Sequence, residues 1–254
     1  MIEIRKISKT FYDTDLSGRG EARNAKTVLE DISMRFEPGK INIVIGASGS
    51  GKSVLFKCML GLIPPGEGEV YYDGEEFYHL SEPEKRNIRK DIGMLFQGGA
   101  LFDFMTVEEN VGFPLRMFTR KSHFEIRERV DFCLSRVRLE NVNSLYPSEI
   151  SGGMKKRVGI ARAIALNPRY LFCDEPNSGL DPLTAIVIDD LIRELTYEYK
   201  MTTIINTHDM HSVLEIGDNI MLLFNGRKHW SGNRQEIKES QDEVLNKFVF
   251  ATHR

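Results

Sequence analysis

An eight-residue glycine loop, from Gly46 to Ser53, constrains this chain more than any other stretch. It fits the pattern G-x-x-x-x-G-K-[ST], whose glycines let successive backbone N–H groups surround an anion without a Cβ in the way. An apolar run of β-branched residues, 41–45, precedes the loop, and a helix-compatible run, 54–60, follows it. Because strand, glycine loop and helix form the setting that this pattern needs, the sequence predicts a phosphate-binding loop, not merely a glycine-rich turn.

The charged and hydroxyl groups of the loop have separate expected roles. Lys52 places a positive charge near the β- and γ-phosphates of a nucleotide, and the Ser53 hydroxyl can bind Mg²⁺. The loop residues expected to contact the nucleotide are Gly46, Ser48, Gly49, Ser50, Gly51, Lys52 and Ser53.

Composition excludes several classes of protein. With 254 residues, 28% of them charged, and a net charge of −3, the chain is long enough for a sizeable core and shows no overall attraction to nucleic acid. No stretch approaches the roughly 18 apolar residues of a membrane span, and the first residues lack the apolar region of a signal peptide. Three scattered cysteines are typical of reduced thiols in a cytoplasmic protein. We therefore expect any membrane role to act through a partner.

The order of patterns predicts one α/β domain over residues 1–254. Alternating segments near residues 2–4 and 32–36 predict an antiparallel flank, and the polar stretch 13–24 between them a hairpin tip. Three capping boxes predict helices within 81–136, most of them in a helical insertion at about 98–165. Apolar runs then predict buried parallel strands. The tail, about 231–254, carries apolar residues at helical spacing, for docking on a partner or on its own domain.

Polar side chains at strand ends suggest the other half of a nucleotide site. Asp174 and Glu175 follow an apolar run and point to different sides of the strand, so Asp174 can face Mg²⁺ while Glu175 faces the attacking water. His208 and Gln97 also lie at strand ends. His208 is the candidate sensor of the γ-phosphate, and Gln97 is a candidate ligand to Mg²⁺ and the attacking water. Taken singly, each also fits an ordinary structural role: an acidic strand cap, a structural histidine or a surface glutamine.

A second candidate anion site begins a helix at Ser151, Gly152 and Gly153. With it, the chain resembles the ATP-binding cassette (ABC) ATPases from about Ile2 to Trp230. The matching positions follow the family's order: the adenine-stacking aromatic Phe11, the Walker A loop 46–53, the Q-loop Gln97, the signature 151–153, the Walker B pair Asp174 and Glu175, the D-loop 178–181 and the switch histidine His208. From position alone, Phe11 or its neighbour Tyr12 could instead be a core residue.

The resemblance implies an α/β P-loop NTPase: a RecA-like parallel-sheet core, an antiparallel β subdomain and an α-helical signature subdomain. It implies hydrolysis of ATP with Mg²⁺ in a head-to-tail homodimer, each ATP lying between Lys52 of one copy and Ser151 of the other. The implied catalytic residues are Glu175, His208, Gln97 and Lys52, the Mg²⁺ ligands are Ser53, Gln97 and Asp174, and the further nucleotide contacts are Phe11, Val54, Ser151, Gly152, Gly153 and Asp181.

Three positions depart from the family pattern. Val54 stands where threonine is common, which removes a hydroxyl from the α-phosphate. Ile150 and Met154 replace the usual leucine and glutamine of the signature. None of these changes removes a charged catalytic group.

Segments 97–103 and 151–157 look more narrowly like the ATPase subunit of Mla-type (Mce-associated) phospholipid transporters. That resemblance implies a peripheral protein on the cytoplasmic face of the inner membrane, with an integral membrane permease docked near Gly98–Met105 and a small regulatory subunit as a further candidate partner. Leu101, Phe102, Phe104 and Met105 would be the apolar contact, or they pack the helical insertion internally.

Two other functions compete with a transport ATPase. A soluble ABC-type clamp for nucleic-acid repair or translation would keep the ATPase, but such relatives usually carry two cassettes, a long coiled coil or a basic surface. A P-loop small-molecule kinase would leave the helix start at Ser151 and the strand-end His208 unexplained. We therefore expect a transport ATPase with no nucleic-acid partner.

Overall fold

The structure is a computed structural model that describes residues 1–12 and 25–250. The predicted hairpin tip, 13–24, and the last residues of the tail, 251–254, lie outside the described residues. The strands are β1 (Ile2–Tyr12), β2 (Ala25–Phe36), β3 (Lys40–Ile45), β4 (Glu67–Tyr72), β5 (Glu75–Glu76), β6 (Ile92–Leu95), β7 (Tyr170–Asp174), β8 (Thr202–Thr207), β9 (Asn219–Phe224) and β10 (Arg227–Gly232). The α-helices are α1 (Lys52–Met59), α2 (Glu82–Lys90), α3 (Val107–Phe118), α4 (His123–Arg136), α5 (Gly152–Ala163), α6 (Pro182–Tyr199), α7 (Met210–Ile216), α8 (Arg234–Glu239) and α9 (Glu243–Val249).

A six-stranded sheet with the order β10-β9-β3-β8-β7-β6 organises the molecule. Its strands run parallel except β10, which pairs antiparallel with β9. This order makes β3, β8 and β7 neighbours, although their sequences are far apart. The residues that follow these three strands therefore meet at one edge of the sheet.

Apolar side chains cover both faces of the six-stranded sheet. Along β3, Ile43 and Ile45 join one core cluster and Val44 joins the other, because side chains alternate along a strand. The same alternation separates Leu171 from Phe172 on β7. Burial on two faces explains why these strands read as continuous apolar runs, as predicted.

A four-stranded antiparallel sheet, β2-β1-β4-β5, covers one face of the central sheet. Helices α3, α4 and α5 belong to the core cluster on the opposite face. Helices α2, α3 and α4 begin at the predicted capping boxes of Ser81, Thr106 and Ser122. The predicted α/β fold, with an antiparallel subdomain and a helical subdomain, is confirmed.

The tail packs on its own domain. Ile237 of α8 and Leu245 and Val249 of α9 are buried in the same core cluster as the helical subdomain. His229 of β10 also bonds the Asp242 carboxylate, which caps α9. The sequence left the tail two roles, docking on a partner or packing on its own domain, and in this structure the tail packs on its own domain. None of the described helices has the length and apolar character needed to cross a membrane.

Candidate functional site

One cleft of about 840 Å³ gathers most of the predicted nucleotide residues at the edge of the central sheet. It is lined by Lys26, Thr27 and Val28 of β2, by Ala47, Ser48, Gly49, Ser50, Gly51, Lys52, Ser53 and Val54, by Gln97, Asp174, Glu175, Asn206 and His208, and by Phe224, Asn225 and Gly226. Long stretches of sequence separate these groups, so the strand order brings them together. Gly46 belongs to the same loop, and its carbonyl accepts from the Lys52 ammonium.

The glycine loop turns sharply before α1 because Gly51 adopts a left-handed backbone. Its φ is 104°, and a Cβ built there would lie 2.9 Å from the Val28 carbonyl oxygen. Both features require glycine at this position. The turn leaves the amino end of α1, at Lys52 and Ser53, open to the cleft, as an anion site requires.

Lys52 supplies a buried cation to this cleft. Its Nζ donates to the carbonyl oxygens of Gly46 (2.6 Å) and Ala47 (3.2 Å), and only 8% of the residue is exposed. Burial lowers the pKa of Lys52, and the carboxylates of Glu175 and Asp174 act in the opposite direction. Anionic partners within the cleft therefore favour the charged form of Lys52.

Asp174 ends β7 and is held by its neighbour on β8. The Asn206 side-chain amide donates to its Oδ1 at 2.6 Å. Burial raises the pKa of Asp174; the Asn206 hydrogen bond and Lys52 lower it, and Glu175 raises it. A cation beside Asp174 would stabilise its ionised form. Ser53 and Gln97 bring further oxygen ligands to the same cleft. Oxygen ligands of this kind suit Mg²⁺.

Glu175 and His208 contact each other directly. The Nδ1 of His208 lies 2.8 Å from the Glu175 Oε1, and the Thr207 hydroxyl donates to Oε2 at 3.5 Å. The Glu175 side chain is mostly shielded and that of His208 is 68% exposed. The pair thus places a carboxylate beside an open imidazole, as polarising a water next to a phosphate requires.

Several predicted nucleotide residues lie outside the cleft. Ser151 and Gly152 are exposed at the start of α5, where the Ser151 hydroxyl accepts from the Met154 N–H at 3.2 Å. Asp181 is exposed at the start of α6. Gly153, beside Gly152, is half-buried. Among the described residues, therefore, the signature and D-loop positions do not share a cleft with Lys52 of the same chain.

The predicted aromatic is not a core residue. Phe11 is 43% exposed and Tyr12 is 63% exposed, which excludes the core-packing alternative for both. Phe11 pairs across the sheet with Lys26, which lines the cleft. Its role in stacking on adenine stays a prediction.

Sequence reasoning missed four groups at this site. The β2 residues 26–28 and the hairpin turn 224–226 line the cleft, but nothing in their local pattern indicates a ligand. Asn206 could have been noticed as a polar residue within an apolar strand. Lys156 is almost fully buried beneath the cleft, and its ammonium contacts backbone of both Gln97 and Glu175.

Comparisons with known proteins agree with this geometry. The family model described as ABC transporter matches residues 29–178. A probable ribonucleotide transport ATP-binding protein, mkl, of Mycobacterium leprae is 37% identical over 98% of this chain and 68% of its own length. The mycobacterial relatives are longer, and the chain spans about two thirds of them.

Two further relatives carry other names. The intermembrane phospholipid transport system ATP-binding protein MlaF of Haemophilus influenzae is 37% identical over 89% of this chain and 86% of its own length. The methionine import ATP-binding protein MetN of Photobacterium profundum is 38% identical over 99% of this chain and 71% of its own. The similarity is thus to ATP-binding subunits whose named cargoes differ.

Solved structures share the fold. A dimeric ATP-binding cassette, MJ0796, bound to ADP and Pi in a post-hydrolysis state, superposes with a TM-score of 0.82 and 32% identity, covering 92% of this chain and 99% of that one. The cbiO1 subunit of the Clostridium perfringens complex cbiONQ superposes with a TM-score of 0.81 and 28% identity, covering 99% of this chain and 96% of that one. This chain belongs to the ABC transporter family, as one of its ATP-binding and ATP-hydrolysing subunits.

Proposed function

We propose that residues 1–254 form one ABC ATPase domain that dimerises head to tail around two ATP molecules and drives a membrane permease. The cargo we propose is phospholipid. The helical subdomain, about 98–165, supplies the signature to the partner copy, and the tail, about 231–254, belongs to the same domain. The chain would then work at the cytoplasmic face of the cell membrane, held there by the permease.

The observation that carries the dimer is the separation of two anion-binding features in one chain. Lys52 lies in the cleft, whereas Ser151 lies outside it with its helix start exposed. An exposed helix amino end with two glycines is suited to a phosphate, but its own chain brings none to it. A second copy, turned head to tail, would bring its ATP there. The similar cassette MJ0796 is dimeric with ADP and Pi bound.

Within each composite site, hydrolysis would proceed by positioning and charge stabilisation. Lys52 and the loop N–H groups hold the phosphates, and Glu175 orients the attacking water. His208 keeps the Glu175 carboxylate in place through the Nδ1 contact and turns its exposed face to the γ-phosphate. Ser53, Gln97 and Asp174 would hold Mg²⁺, which supplies charge neutralisation when bound. The products, ADP and phosphate, carry more negative charge than ATP, and their repulsion opens the dimer.

The ATPase assignment is tested by two variants of one protein. Glu175→Gln should bind ATP and stay dimeric but lose about 100-fold or more in kcat, the range typical of a general base. Lys52→Ala should fail to bind ATP and stay monomeric. Size-exclusion chromatography with light scattering, with and without ATP, measures whether each variant is a monomer or a dimer. Hydrolysis by Glu175→Gln at the wild-type rate would contradict the role of Glu175.

Shared sites are tested by mixing two inactive chains. Lys52→Ala and Ser151→Arg should each be inactive alone. Their mixture should recover activity, because a mixed dimer keeps one intact site, made by Lys52 of the Ser151→Arg chain and Ser151 of the Lys52→Ala chain. If the mixture stays inactive although the two chains form a mixed dimer with ATP, the composite site is wrong.

The permease contact we propose centres on Phe104. Its side chain is 76% exposed, while its neighbour Phe102 packs on Phe113 with ring centroids 4.9 Å apart. The segment 98–105 thus combines both alternatives: Phe102 anchors it internally and Phe104 is free to contact a partner. Co-purification of an integral membrane protein with the wild type, and its loss with Phe104→Asp, would support this contact. A small regulatory subunit remains part of the proposal as a second partner.

The phospholipid cargo rests on segments 97–103 and 151–157 and on similarity to a phospholipid transport subunit. The purified complex, reconstituted in liposomes, should transfer labelled phospholipid in the presence of ATP. Stimulation of its ATPase by methionine or a ribonucleotide instead would point to the cargoes named for the other relatives. Active protein without any membrane partner would favour a soluble clamp.

A further inference from the structure

A buried lysine under the cleft, Lys156 of α5, joins three segments of the site. Only 4% of the residue is exposed. Its ammonium donates to the Gln97 carbonyl oxygen, to the Glu175 carbonyl oxygen at 3.2 Å and to the Ser178 hydroxyl at 3.4 Å. A buried ammonium carries three N–H donors and needs an acceptor for each. Here the oxygens of Gln97, Glu175 and Ser178 supply one acceptor each.

Neighbouring side chains at the end of β7 favour the charged form of Lys156. Burial lowers its pKa, while Cys173, Glu175 and Asp174 act in the opposite direction. The two carboxylates follow one another at the end of β7, and both favour the charged form of the ammonium. The carboxylates and the three oxygen acceptors thus favour the charged form of Lys156, against the effect of burial.

Glu175 needs external support because its backbone is left-handed, with a φ of 48°. This conformation is unfavourable for a residue that has a Cβ, and it persists only where neighbouring groups hold it. The Glu175 N–H donates to the Asn206 carbonyl at 2.8 Å. Its carbonyl accepts from two donors, the Ser178 N–H at 3.2 Å and Lys156.

We propose that Lys156 is a positioning residue for hydrolysis, which clamps the backbone of Glu175 and Gln97 to helix α5. Without Lys156, the Glu175 carbonyl loses a hydrogen-bond donor. The Glu175 carboxylate is then no longer held in the orientation that positions the attacking water. Lys52 and the glycine loop, and not Lys156, would contact the phosphates, so ATP binding should not depend on Lys156. This inference rests on the proposed role of Glu175.

The test separates kcat from ATP affinity. Lys156→Met keeps the length of the side chain and removes its donors, so kcat should fall about tenfold or more, while the Kd for ATP stays within about threefold. Lys156→Arg keeps charged donors and should recover a measurable part of kcat. Lys155→Met is the matched control: it changes the adjacent lysine, which is only half-buried, and should leave both constants near wild type.

A double-mutant cycle distinguishes positioning from loss of fold. If Lys156 acts through Glu175, then adding Lys156→Met to Glu175→Gln should change the residual rate by less than about twofold. A drop as large as in the wild-type background, or a parallel loss of ATP binding, would overturn the proposal. So would an unchanged kcat in Lys156→Met.

Two provisions keep the outcome clear. If Lys156→Met does not fold, judged by its thermal transition, Lys156→Gln and Ser178→Ala each remove part of the contact and should each lower kcat without changing the Kd for ATP. Full activity of Glu175→Gln would instead refute the proposed role of Glu175, on which this inference rests. An unchanged Lys156→Met beside an inactive Glu175→Gln would refute only the role of Lys156.

Discussion

Asp189 of α6 is a carboxylate almost without exposure to water, and it bonds the segments that follow Glu175 and His208. The Asn177 amide donates to its Oδ1 at 2.8 Å and to the Ser212 hydroxyl at 2.8 Å. The Asp189 Oδ2 and the Asn177 Oδ1 are buried without a hydrogen-bond partner in the described structure. Burial raises the pKa of Asp189 to about 6; bonds from Ser212 and Asn177 oppose the shift.

This shift makes stability depend on pH. The folded-state pKa lies above the unfolded value of 3.8, so the folded protein holds the proton more tightly than the unfolded chain. The stabilisation is complete below about pH 4 and is lost as the pH rises through about 6, at a cost of at most about 3 kcal/mol.

Asp189→Asn should therefore stabilise the protein at neutral pH. The amide removes the buried charge and supplies a donor where Oδ2 stood. We expect the Tm to rise by several degrees at pH 7.5 and by much less at pH 4.5, measured by calorimetry. Asp190→Asn, which changes the adjacent, partly exposed carboxylate paired with Arg193, is the control and should lack this pH dependence. Equal changes at both pH values would contradict titration of Asp189.

At the scale of elements, helix α3 organises the turn that precedes it. Asn110 is fully buried and bonds backbone of the segment 102–106: its Oδ1 accepts from the Phe102 N–H at 2.8 Å, and its amide donates to the carbonyls of Phe102, Met105 and Thr106. One side chain thus bonds four backbone groups of this turn. It sets the shape of the segment that presents Phe104.

Asn110→Ala should loosen this turn without unfolding the central sheet. Loss of the Asn110 side-chain hydrogen bonds should cost about 1 to 3 kcal/mol, most of it local. We expect faster hydrogen exchange at the Phe102 amide and in its neighbours, measured by mass spectrometry. Asn143→Ala is the control, since that side chain bonds the carboxylates of Glu108 and Asp131 and not the backbone of this turn. Unchanged exchange in Asn110→Ala would show that the turn is held by its other contacts.

At the scale of the whole molecule, the tail belongs to the domain's own core. Leu245 of α9 is fully buried, and its neighbours in the core cluster include Ile237 and Val249. Short helices such as α8 and α9 are not stable alone, so packing against the domain is what keeps them folded. The tail should therefore contribute to the stability of the isolated chain.

Leu245→Ala should destabilise that isolated chain by about 2 to 4 kcal/mol, because it leaves a cavity in the core. The Tm should fall by roughly 5 to 10 °C in a thermal melt. Lys247→Ala, on the exposed face of the same helix, should stay within about 0.5 kcal/mol of wild type. A normal Tm for Leu245→Ala would mean that the tail packs elsewhere, as on a partner.

Local patterns in the sequence determined the elements and most of the candidate site. The glycine loop, the capping boxes at Ser81, Thr106 and Ser122, and the apolar runs of β3, β7 and β8 each reflect a constraint that acts over a few residues. Such constraints are legible without knowing what lies across the fold. The predicted loop residues from Ser48 to Ser53, with Gln97, Asp174, Glu175 and His208, do line one cleft.

Which distant residues complete that cleft depends on how the strands and helices pack. The order β10-β9-β3-β8-β7-β6 sets Asn206 against Asp174, and the packing of α5 under the sheet carries Lys156 to Gln97 and Glu175. It also leaves Ser151 outside the cleft that contains Lys52. Contacts of this kind depend on where whole strands and helices come to rest, and that is settled by burial of apolar faces over the entire chain.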